Sequence, residues 1–505
     1  MKTKLFFAIV YCIFSITAWA QTTIPGGAVS GTWTKANSPY LIQGNVTIEG
    51  PSTLTIEPGT KIEFQGAYKF TAVGRLLAIG KADDSIKFVA KDPVTGWKGI
   101  RFNLPLESND TSRLSYCLLR FARNTGDAFE ELGGAFFFDH ASKVVVSNST
   151  ITDCSAGVGA AIFCNKSEPT FISNKITRNK TSGFGTVCLS GSDPIVRKNI
   201  ISYNTAKNGG AISCGSTYTL KIEGNFISNN TASEAGGGLY IADTVTVFNN
   251  LIVNNTAGTG GGIYCSTKAP LIMNNTVANN SSEKGGGVYF INTKPTLKNN
   301  ILFGNTATAS GSQLYIDDDL SDPTIIHSDI QDGKAGIGLG LNVTYAGIYQ
   351  NNINANPSFI NASAGSGTNF NGLAGDWQLN TGSPCINTGD PNGTYPGSDI
   401  AGNPRVINGT IDMGAYEALT TGIKNISQQS LFNLYPNPTN GQFTIESEKI
   451  RGSSIEIYNV LGEQIYSIQL VESKFTIDLR EQPKGIYFIH LLADEKVSTK
   501  KIIIQ

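Results

Sequence analysis

Apolar positions and asparagines return together every 25 or so residues between Phe171 and Tyr315. One asparagine column is Asn174, Asn199, Asn225, Asn250, Asn275 and Asn300, and a second is Asn179, Asn204, Asn230, Asn255, Asn280 and Asn305. Three aliphatic columns accompany them: Phe171, Val196, Ile222, Val247, Ile272 and Leu297; Ile176, Ile201, Ile227, Ile252, Val277 and Leu302; Ile162, Val187, Ile212, Leu239, Ile263, Val288 and Leu314. A fixed period of this length predicts a solenoid of stacked repeats.

Each period holds three short β-prone segments separated by turn residues, which favours three parallel strands per coil rather than a helical repeat. Coils stacked about 4.8 Å apart place equivalent residues over one another, so the aliphatic columns form a continuous core. Each asparagine column predicts a ladder at a bend, where asparagine itself tolerates left-handed backbone. Glycines such as Gly236 to Gly238 provide turns that a Cβ would block.

This template resembles the right-handed parallel β-helix of the pectin-lyase-like architecture, and its GGGIY and NNTA segments resemble repeats of bacterial surface β-helices. The expected fold class is all-β, a right-handed three-sheet parallel β-helix followed by a small C-terminal β-sandwich. The fold alone does not specify a function, because it supports many chemistries.

The ends of the chain predict export. Residues 1–20 have two lysines, a short apolar run and Ala18-Trp19-Ala20, the pattern of a secretory signal peptide. Residues 21–110 are predicted to form an N-terminal cap and the opening coils, and residues 111–345 the repeat β-helix. No apolar run is long enough for a transmembrane segment. We therefore expect an extracellular or outer-membrane-surface protein, and a monomer.

The composition of the chain limits the classes of binding partner. The chain has 56 glycines, three methionines and 15% charged residues, which suits a turn-rich β protein, and a net charge of −1 gives no footprint for nucleic acid. Seven cysteines remain after the signal peptide, an odd number. Cys164, Cys214 and Cys265 follow inward aliphatic positions by two residues, so we expect buried free thiols rather than a disulfide framework.

Residues 346–418, the closing segment, end in motifs that resemble the choice-of-anchor Q module of bacterial surface β-helices. The matching residues are Ser383-Pro384, Asp390, Asp399, Gly402, Arg405, Asp412, Gly414, Ala415, Tyr416 and Glu417. The acids and Arg405 would either bind calcium or another ligand, or form a buried network that holds irregular loops.

After a linker, 419–430, residues 431–505 resemble the type A C-terminal sorting domain of the type IX secretion system. The resemblance rests on Pro436-Asn437-Pro438, Tyr458-Asn459-Val460-Leu461-Gly462, Gly485-Ile486-Tyr487 and Lys501-Ile502-Ile503. It implies a partnership with the type IX machinery, passage through the outer membrane of a Bacteroidetes-type bacterium, and anchoring or release.

Candidate chemistry is sparse. The resemblance implies, for pectate lyases, acids from successive coils that bind calcium and an Arg or Lys base. The sequence shows no such acidic column: two places before the first asparagines stand Ile172, Arg197, Glu223, Phe248, Met273 and Lys298. Calcium as a cofactor is therefore unsupported, and paired carboxylates for a hydrolase are missing too. Only Asp317, Asp318 and Asp319 offer local acid density for a metal, and a solvated turn is the alternative.

The column directly after the third aliphatic one is Phe137, Phe163, Cys188, Ser213, Tyr240, Tyr264, Tyr289 and Tyr315, which ends in tyrosines on four consecutive coils. Alternation turns these rings outward, so they predict either an exposed stripe for polysaccharide or a self-stacking ladder. Three functions stay open: a glycan-binding or adhesin-like surface module, a secreted polysaccharide lyase or glycoside hydrolase, and a structural stalk.

Overall fold

The computed structural model describes residues 21–103, 111–124, 129, 132–215, 220–418, 432–446, 453–459, 463–469, 472–493 and 496–505. The predicted signal peptide and the predicted linker lie outside these residues. The chain divides into two compact units, Met1–Leu419 and Thr420–Gln505.

The first unit is a parallel β-solenoid whose described residues form three sheets of 13 strands each. Sheet A contains Thr22–Ile24, Tyr40–Ile42, Lys61–Phe64, Ile86–Ala90, Cys117–Arg120, Thr150–Thr152, Lys175–Thr177, Ile200–Ser202, Phe226–Ser228, Leu251–Val253, Thr276–Ala278, Ile301–Phe303 and Asp329–Ile330. Sheet B contains Gly27–Ala28, Val46–Ile48, Phe70–Ala72, Ile100–Asn103, Phe136–Asp139, Ile162–Asn165, Val187–Ser190, Ile212–Gly215, Leu239–Ala242, Ile263–Ser266, Val288–Ile291, Leu314–Ile316 and Gly338–Leu339. Sheet C contains Gly31–Trp33, Thr53–Ile56, Arg75–Ile79, Ser112–Ser115, Val144–Ser147, Thr170–Ile172, Ile195–Arg197, Lys221–Glu223, Thr246–Phe248, Leu271–Met273, Thr296–Lys298, Thr324–Ile326 and Tyr349–Gln350.

Smaller elements complete this unit. A lateral sheet lies in the chain between sheets A and B, with Arg123–Asn124, Ser155–Ala156, Lys180–Thr181, Thr205–Asn208 and Thr231–Ala235, and Ser281–Lys284 pairs with Thr306–Ser310. Phe359–Asn361 and Asp376–Leu379 form an antiparallel pair in the closing segment. The helical segments of the described chain are 3-10 turns at Lys35–Asn37, Lys334–Gly336 and Gly372–Ala374.

The predicted aliphatic columns form the core. Ile176, Ile201 and Ile227 stand in register on consecutive strands of sheet A and are at most 1% exposed. The register also places the opening strands from Thr22 onward in the same three sheets, so residues 21 to 103 are coils of the same β-helix. Trp33 and Tyr40 stack at 4.7 Å near the first coil.

The two asparagine ladders are confirmed, but the left-handed residue is one place earlier than expected. Asn255 donates from Nδ2 to Ile227 O (3.0 Å) and to Asn280 Oδ1 (3.0 Å), and its own Oδ1 accepts from Asn230 N (2.9 Å) and Nδ2 (3.0 Å). The preceding residue, Asn254, makes the bend with φ 56°. The ladder residue must keep its side chain inside the coil, so its neighbour takes the left-handed conformation and points outward.

The seven cysteines of the described chain are free and buried, as expected. Cys164, Cys214 and Cys265 alternate with Leu189 and Ile241 along one inward column of sheet B. Burial raises the pKa of Cys117 and Cys154 to about 12, so these thiols stay protonated. They act as small apolar core groups.

The second unit has two antiparallel sheets around one core, which confirms the predicted small β fold. One sheet joins Asn433–Tyr435, Gln442–Glu446 and Lys474–Asp478; the other joins Gln464–Gln469, Ser454–Asn459, Gly485–Ala493 and Lys496–Ile504. Buried residues from both sheets, including Phe443, Ile457 and Ile489, pack together. Residues 460–462 of the predicted motif lie outside the described residues.

Candidate functional site

One outward column of sheet B runs almost the whole length of the solenoid. In register it contains Thr47, Thr71, Arg101, Phe137, Phe163, Cys188, Ser213, Tyr240, Tyr264, Tyr289, Tyr315 and Gly338. Parallel pairing without register shifts keeps these side chains on one line. The four predicted tyrosines are therefore one end of a longer polar and aromatic line.

The tyrosine rings stack on one another. Successive centroids of Tyr240, Tyr264, Tyr289 and Tyr315 are 5.0, 5.2 and 5.3 Å apart, with interplanar angles of 8°, 11° and 17°. Tyr240 and Tyr264 are half-buried, whereas Tyr289 is 7% and Tyr315 only 4% exposed. Of the two predicted alternatives, the structure shows the self-stacking ladder, and the last two rings are covered rather than exposed. Because the inner ring faces contact one another, mainly edges and hydroxyls remain for a ligand.

Polar groups surround the buried end of this ladder. The Asp317 carboxylate lies near the Tyr289 hydroxyl, and the Lys284 ammonium lies 5.3 Å from the centre of the Tyr315 ring. Burial, together with Asp317, raises the pKa of Tyr289, and burial raises that of Tyr264 to about 12. These phenols are neutral hydrogen-bonding groups at physiological pH.

A groove of about 330 Å³ lies at the other end of the same column. It is lined by Lys69, Thr71, Arg101, Asn103, Phe129, Phe137 and Asp139. The Phe129 ring is 47% exposed and packs edge-on against Phe137 and Phe163 at 5.4 and 6.1 Å. The groove therefore combines an accessible aromatic ring with basic, acidic and amide side chains.

Fixed contacts hold the charged groups of the groove. Arg101 is 4% exposed, donates from Nε to Lys98 O (3.0 Å) and from Nη1 to Leu132 O, and lies 5.1 Å from the Phe137 ring centre. Asp139 Oδ1 accepts from Asn165 Nδ2 (2.7 Å) and lies 2.8 Å from His140 Nδ1. The sequence analysis placed Phe137 and Phe163 in this outward column but did not predict the groove beside them.

Acidic residues at positions 317–319 accept hydrogen bonds near the last coil. Asp318 accepts from Asn292 N (3.0 Å) and Ser321 Oγ (2.7 Å), and Asp319 accepts from Thr344 N (3.2 Å). Over the described ranges, no three His, Cys, Asp or Glu side chains come together as a metal ion would require. The observed contacts are those of a turn whose carboxylates bind backbone amides.

The closing segment packs along the solenoid through asparagines that precede the ladder residues. We call Asn229, Asn249, Asn254, Asn274, Asn279 and Asn299 the outer asparagines; each has positive φ. Their Nδ2 groups donate to backbone carbonyls of the segment, for example Asn249 to Ser398 O (2.8 Å) and Asn299 to Asp390 O (3.1 Å). Trp377, 1% exposed, packs on outward apolar residues of sheet A. Each NN pair thus has one residue for the ladder and one for the segment.

The acids that resemble choice-of-anchor Q form a buried network, as one of the two alternatives predicted. Arg405, 1% exposed, donates from Nη2 to Asp412 O (2.9 Å) and Gly414 O (2.7 Å), and its Nε lies 3.2 Å from Glu417 Oε1. Asp412 accepts from Asn387 N (2.7 Å). Burial raises the pKa of Glu417 to about 8 and outweighs the attraction of Arg405, and burial also raises the pKa of Asp412.

This network predicts a stability that falls as the pH rises. Folded Glu417 keeps its proton up to a pH of about 8, whereas unfolded Glu417 loses it near its ordinary value of 4.5. Between these limits the folded state binds more protons, so the free energy of unfolding falls by at most about 1.4 kcal/mol per pH unit. Chemical unfolding followed from pH 5 to 8 should show the fall, and Glu417→Gln should remove most of it. The exposed Asp83→Asn variant is the control; an unchanged slope in Glu417→Gln would contradict this assignment.

Comparison with known proteins identifies the family of the first unit. Residues 106–257 and 211–372 match the family model described as a right handed beta helix region, and together these matches cover a little over half of the chain. The chain belongs to the right-handed β-helix proteins. No helix in the described part of this β-helix protein has the length and apolar composition of a membrane span.

The second unit is a sorting domain. Residues 433–505 match the family model described as a secretion system C-terminal sorting domain. This confirms the predicted type IX sorting domain, so the β-helix protein is addressed to the cell surface or the extracellular space through that machinery.

A polysaccharide lyase shares a short stretch of sequence with the β-helix protein. An ulvan lyase of Nonlabens ulvanivorans is 33% identical over 96 residues, which is 18% of each chain. The β-helix protein thus matches less than a fifth of that lyase's length.

Proposed function

We propose that this exported β-helix protein binds a polysaccharide chain on the outward face of sheet B. The groove carries the proposal, because it places the exposed Phe129 ring beside Lys69, Asn103 and Asp139. Sugar rings pack on an accessible aromatic side chain, and their hydroxyls bond to charged and amide groups. The half-buried edges of Tyr240 and Tyr264 lie on the same line and would extend the contact toward the later coils.

Replacing Phe129 by alanine should weaken polysaccharide binding at least tenfold, because the exposed aromatic surface of the groove is lost. The measurement is retention of the full chain on a panel of insoluble plant, algal and bacterial glycans. Phe370→Ala is the matched control, since Phe370 is similarly exposed at 40% but lies in the closing segment. Equal retention of both variants and of the wild type would contradict a binding role for the groove.

The tyrosines receive a separate test within the same assay. Tyr264→Phe removes one hydroxyl while keeping the stacked ladder, so a loss of retention would assign the ladder to the binding line. Unchanged retention would leave the ladder as a stiffening element of sheet B, the alternative that its stacking geometry favours.

A second candidate function is polysaccharide cleavage by elimination. It is supported by the short similarity to a lyase and by basic and acidic groups in one groove. Elimination needs a base for the proton beside a uronate carboxylate and a cation near that carboxylate. Incubation of the full chain with uronate-containing glycans, with and without calcium, should yield unsaturated products under this function. Retention without product would favour binding alone.

A further inference from the structure

A second surface of the solenoid runs from the end of sheet C across sheet A to the lateral sheet, on coils that precede the outer asparagines. The outer asparagines that hold the closing segment begin at Asn229. The two preceding coils present six exposed basic side chains, here called the basic face: Lys175, Arg178, Lys180, Arg197, Lys198 and Lys207. Lys175 is in register with Ile200, Lys180 with Thr205 and Arg197 with Ile172, so the bases of the two coils alternate with uncharged residues.

Most of this positive charge is not neutralised by close ion pairs. Arg178 contacts Asp153 at 3.1 Å and Lys207 contacts Glu234 at 3.2 Å. For the other four bases, no ion pair within 4.0 Å is found across the described residues, although Glu223 is the register neighbour of Arg197. Residues 111–223 contain 12 Lys and Arg against 8 Asp and Glu, whereas residues 224–345 contain 5 against 9. The positive charge is therefore concentrated in a chain whose net charge is −1.

The backbone conformation at three bends directs the side chains there away from the core. Arg178, Lys198 and Tyr203 have φ of 54°, 57° and 56°, in the left-handed region. The equivalent positions of the later coils are mostly asparagines, which adopt this conformation more easily. Arg178 contacts Asp153, and the Tyr203 hydroxyl donates to Asn371 Oδ1 at 3.0 Å. Lys198 is exposed, and no ion pair to it is found among the described residues.

Apolar groups lie among the charges. Ile195, Ile200 and Tyr203 are 52%, 39% and 42% exposed. This mixture of cations with exposed aliphatic and aromatic surface suits a polymer that carries both negative groups and apolar ring faces.

We propose that the basic face binds a linear acidic polysaccharide, at a site separate from the groove on sheet B. The charges of the basic face lie on two coils, which at the usual strand spacing span roughly 10 Å along the solenoid axis. Three acidic residues border them: Asp153, Glu223 and Glu234. A polymer with one charge per sugar places its anions on the bases and avoids the acids. Duplex DNA carries a charge about every 1.7 Å, so some of its phosphates would lie next to those acidic residues and be repelled.

The test measures binding of the full chain to a soluble polyuronate, to neutral dextran and to duplex DNA at low and moderate salt. The triple variant Lys175→Gln, Arg197→Gln, Lys198→Gln should lose polyuronate affinity at least tenfold, and the loss should shrink as salt screens the charges. The matched control Lys81→Gln, Lys268→Gln, Lys294→Gln removes three exposed bases elsewhere and should stay within twofold of the wild type. Both triple variants are checked by circular dichroism for an intact β fold.

Other outcomes overturn the proposal. Equal losses in the two triple variants would show an effect of net charge only, and no loss in the first would show that the basic face is not used. Tighter binding to DNA than to polyuronate would assign the surface to nucleic acid. The basic-face triple variant should keep the wild-type retention on neutral insoluble glycans, which Phe129→Ala is expected to lose, so that failure of the groove proposal and failure of this one remain distinguishable.

Discussion

Replacing Asn255 by alanine is expected to destabilise the β-helix by about 3–5 kcal/mol, because several buried groups lose partners worth about 1–3 kcal/mol each. The Asn230 amide and side chain would lose their acceptor, and the Ile227 carbonyl would lose its donor. The loss would spread to neighbouring coils, because each repeat is stabilised mainly by the next.

Tryptophan fluorescence during guanidinium unfolding measures this effect. Trp33, Trp97 and Trp377 all lie in the first unit, and the fourth tryptophan belongs to the predicted signal peptide, so the signal reports the solenoid and its closing segment. Asn148→Gly is the control: Asn148 is exposed at a left-handed position, and we expect a change within about 0.5 kcal/mol. A ladder variant that unfolds at the same denaturant concentration as this control would show that the ladder does not stabilise the fold.

The second large effect is expected at Arg405. At pH 9, above the pKa of Glu417, Arg405→Ala leaves the Glu417 and Asp412 carboxylates buried without their cation and removes the donor to two carbonyls. Breaking a buried pair on one side costs about 3–5 kcal/mol, so the closing segment should open far more often. Hydrogen exchange of residues 346–418 and the rate of limited proteolysis there measure this opening.

Two comparisons make the Arg405 result specific. Lys298→Met breaks the pair with Asp390, whose side chains are 14% and 17% exposed, and should cost about 1–2 kcal/mol, less than the Arg405 change because the pair is only partly buried. The double variant Arg405→Met, Glu417→Gln removes both charges and should regain much of the lost protection. If Arg405→Ala opened the segment no more than Lys298→Met does, the network would not be what holds the segment in place.

The outer asparagines have a role that the repeat pattern alone does not reveal. In each NN pair of the later coils, the two residues are chemically identical, yet the second faces the core and the first faces the closing segment. Earlier coils keep the ladder asparagine but have Ser173, Lys198 or Tyr203 before it. The first asparagine therefore marks the coils that the segment covers, a pattern that becomes readable only after the packing is known.

The tyrosine column also separates what the sequence predicts from what the packing decides. Alternation correctly placed Tyr240 to Tyr315 outside the core, because successive side chains of a strand point to opposite faces. Exposure depends on the neighbouring coils: equivalent residues stand one strand spacing apart, so aromatic rings of the same kind stack on one another. The ring faces that a sugar would contact are thereby largely occupied.

The repeat period and the alternation within each strand determined the solenoid, its aliphatic core, the ladders and the buried thiols, since each of these depends only on which residues recur one coil apart. The export domain was also readable, from local motifs. Only the tertiary structure decided where the groove lies, which tyrosines are covered and how the closing segment packs. These features depend on contacts between segments that are up to 168 residues apart, such as Tyr203 with Asn371, and no local period encodes them.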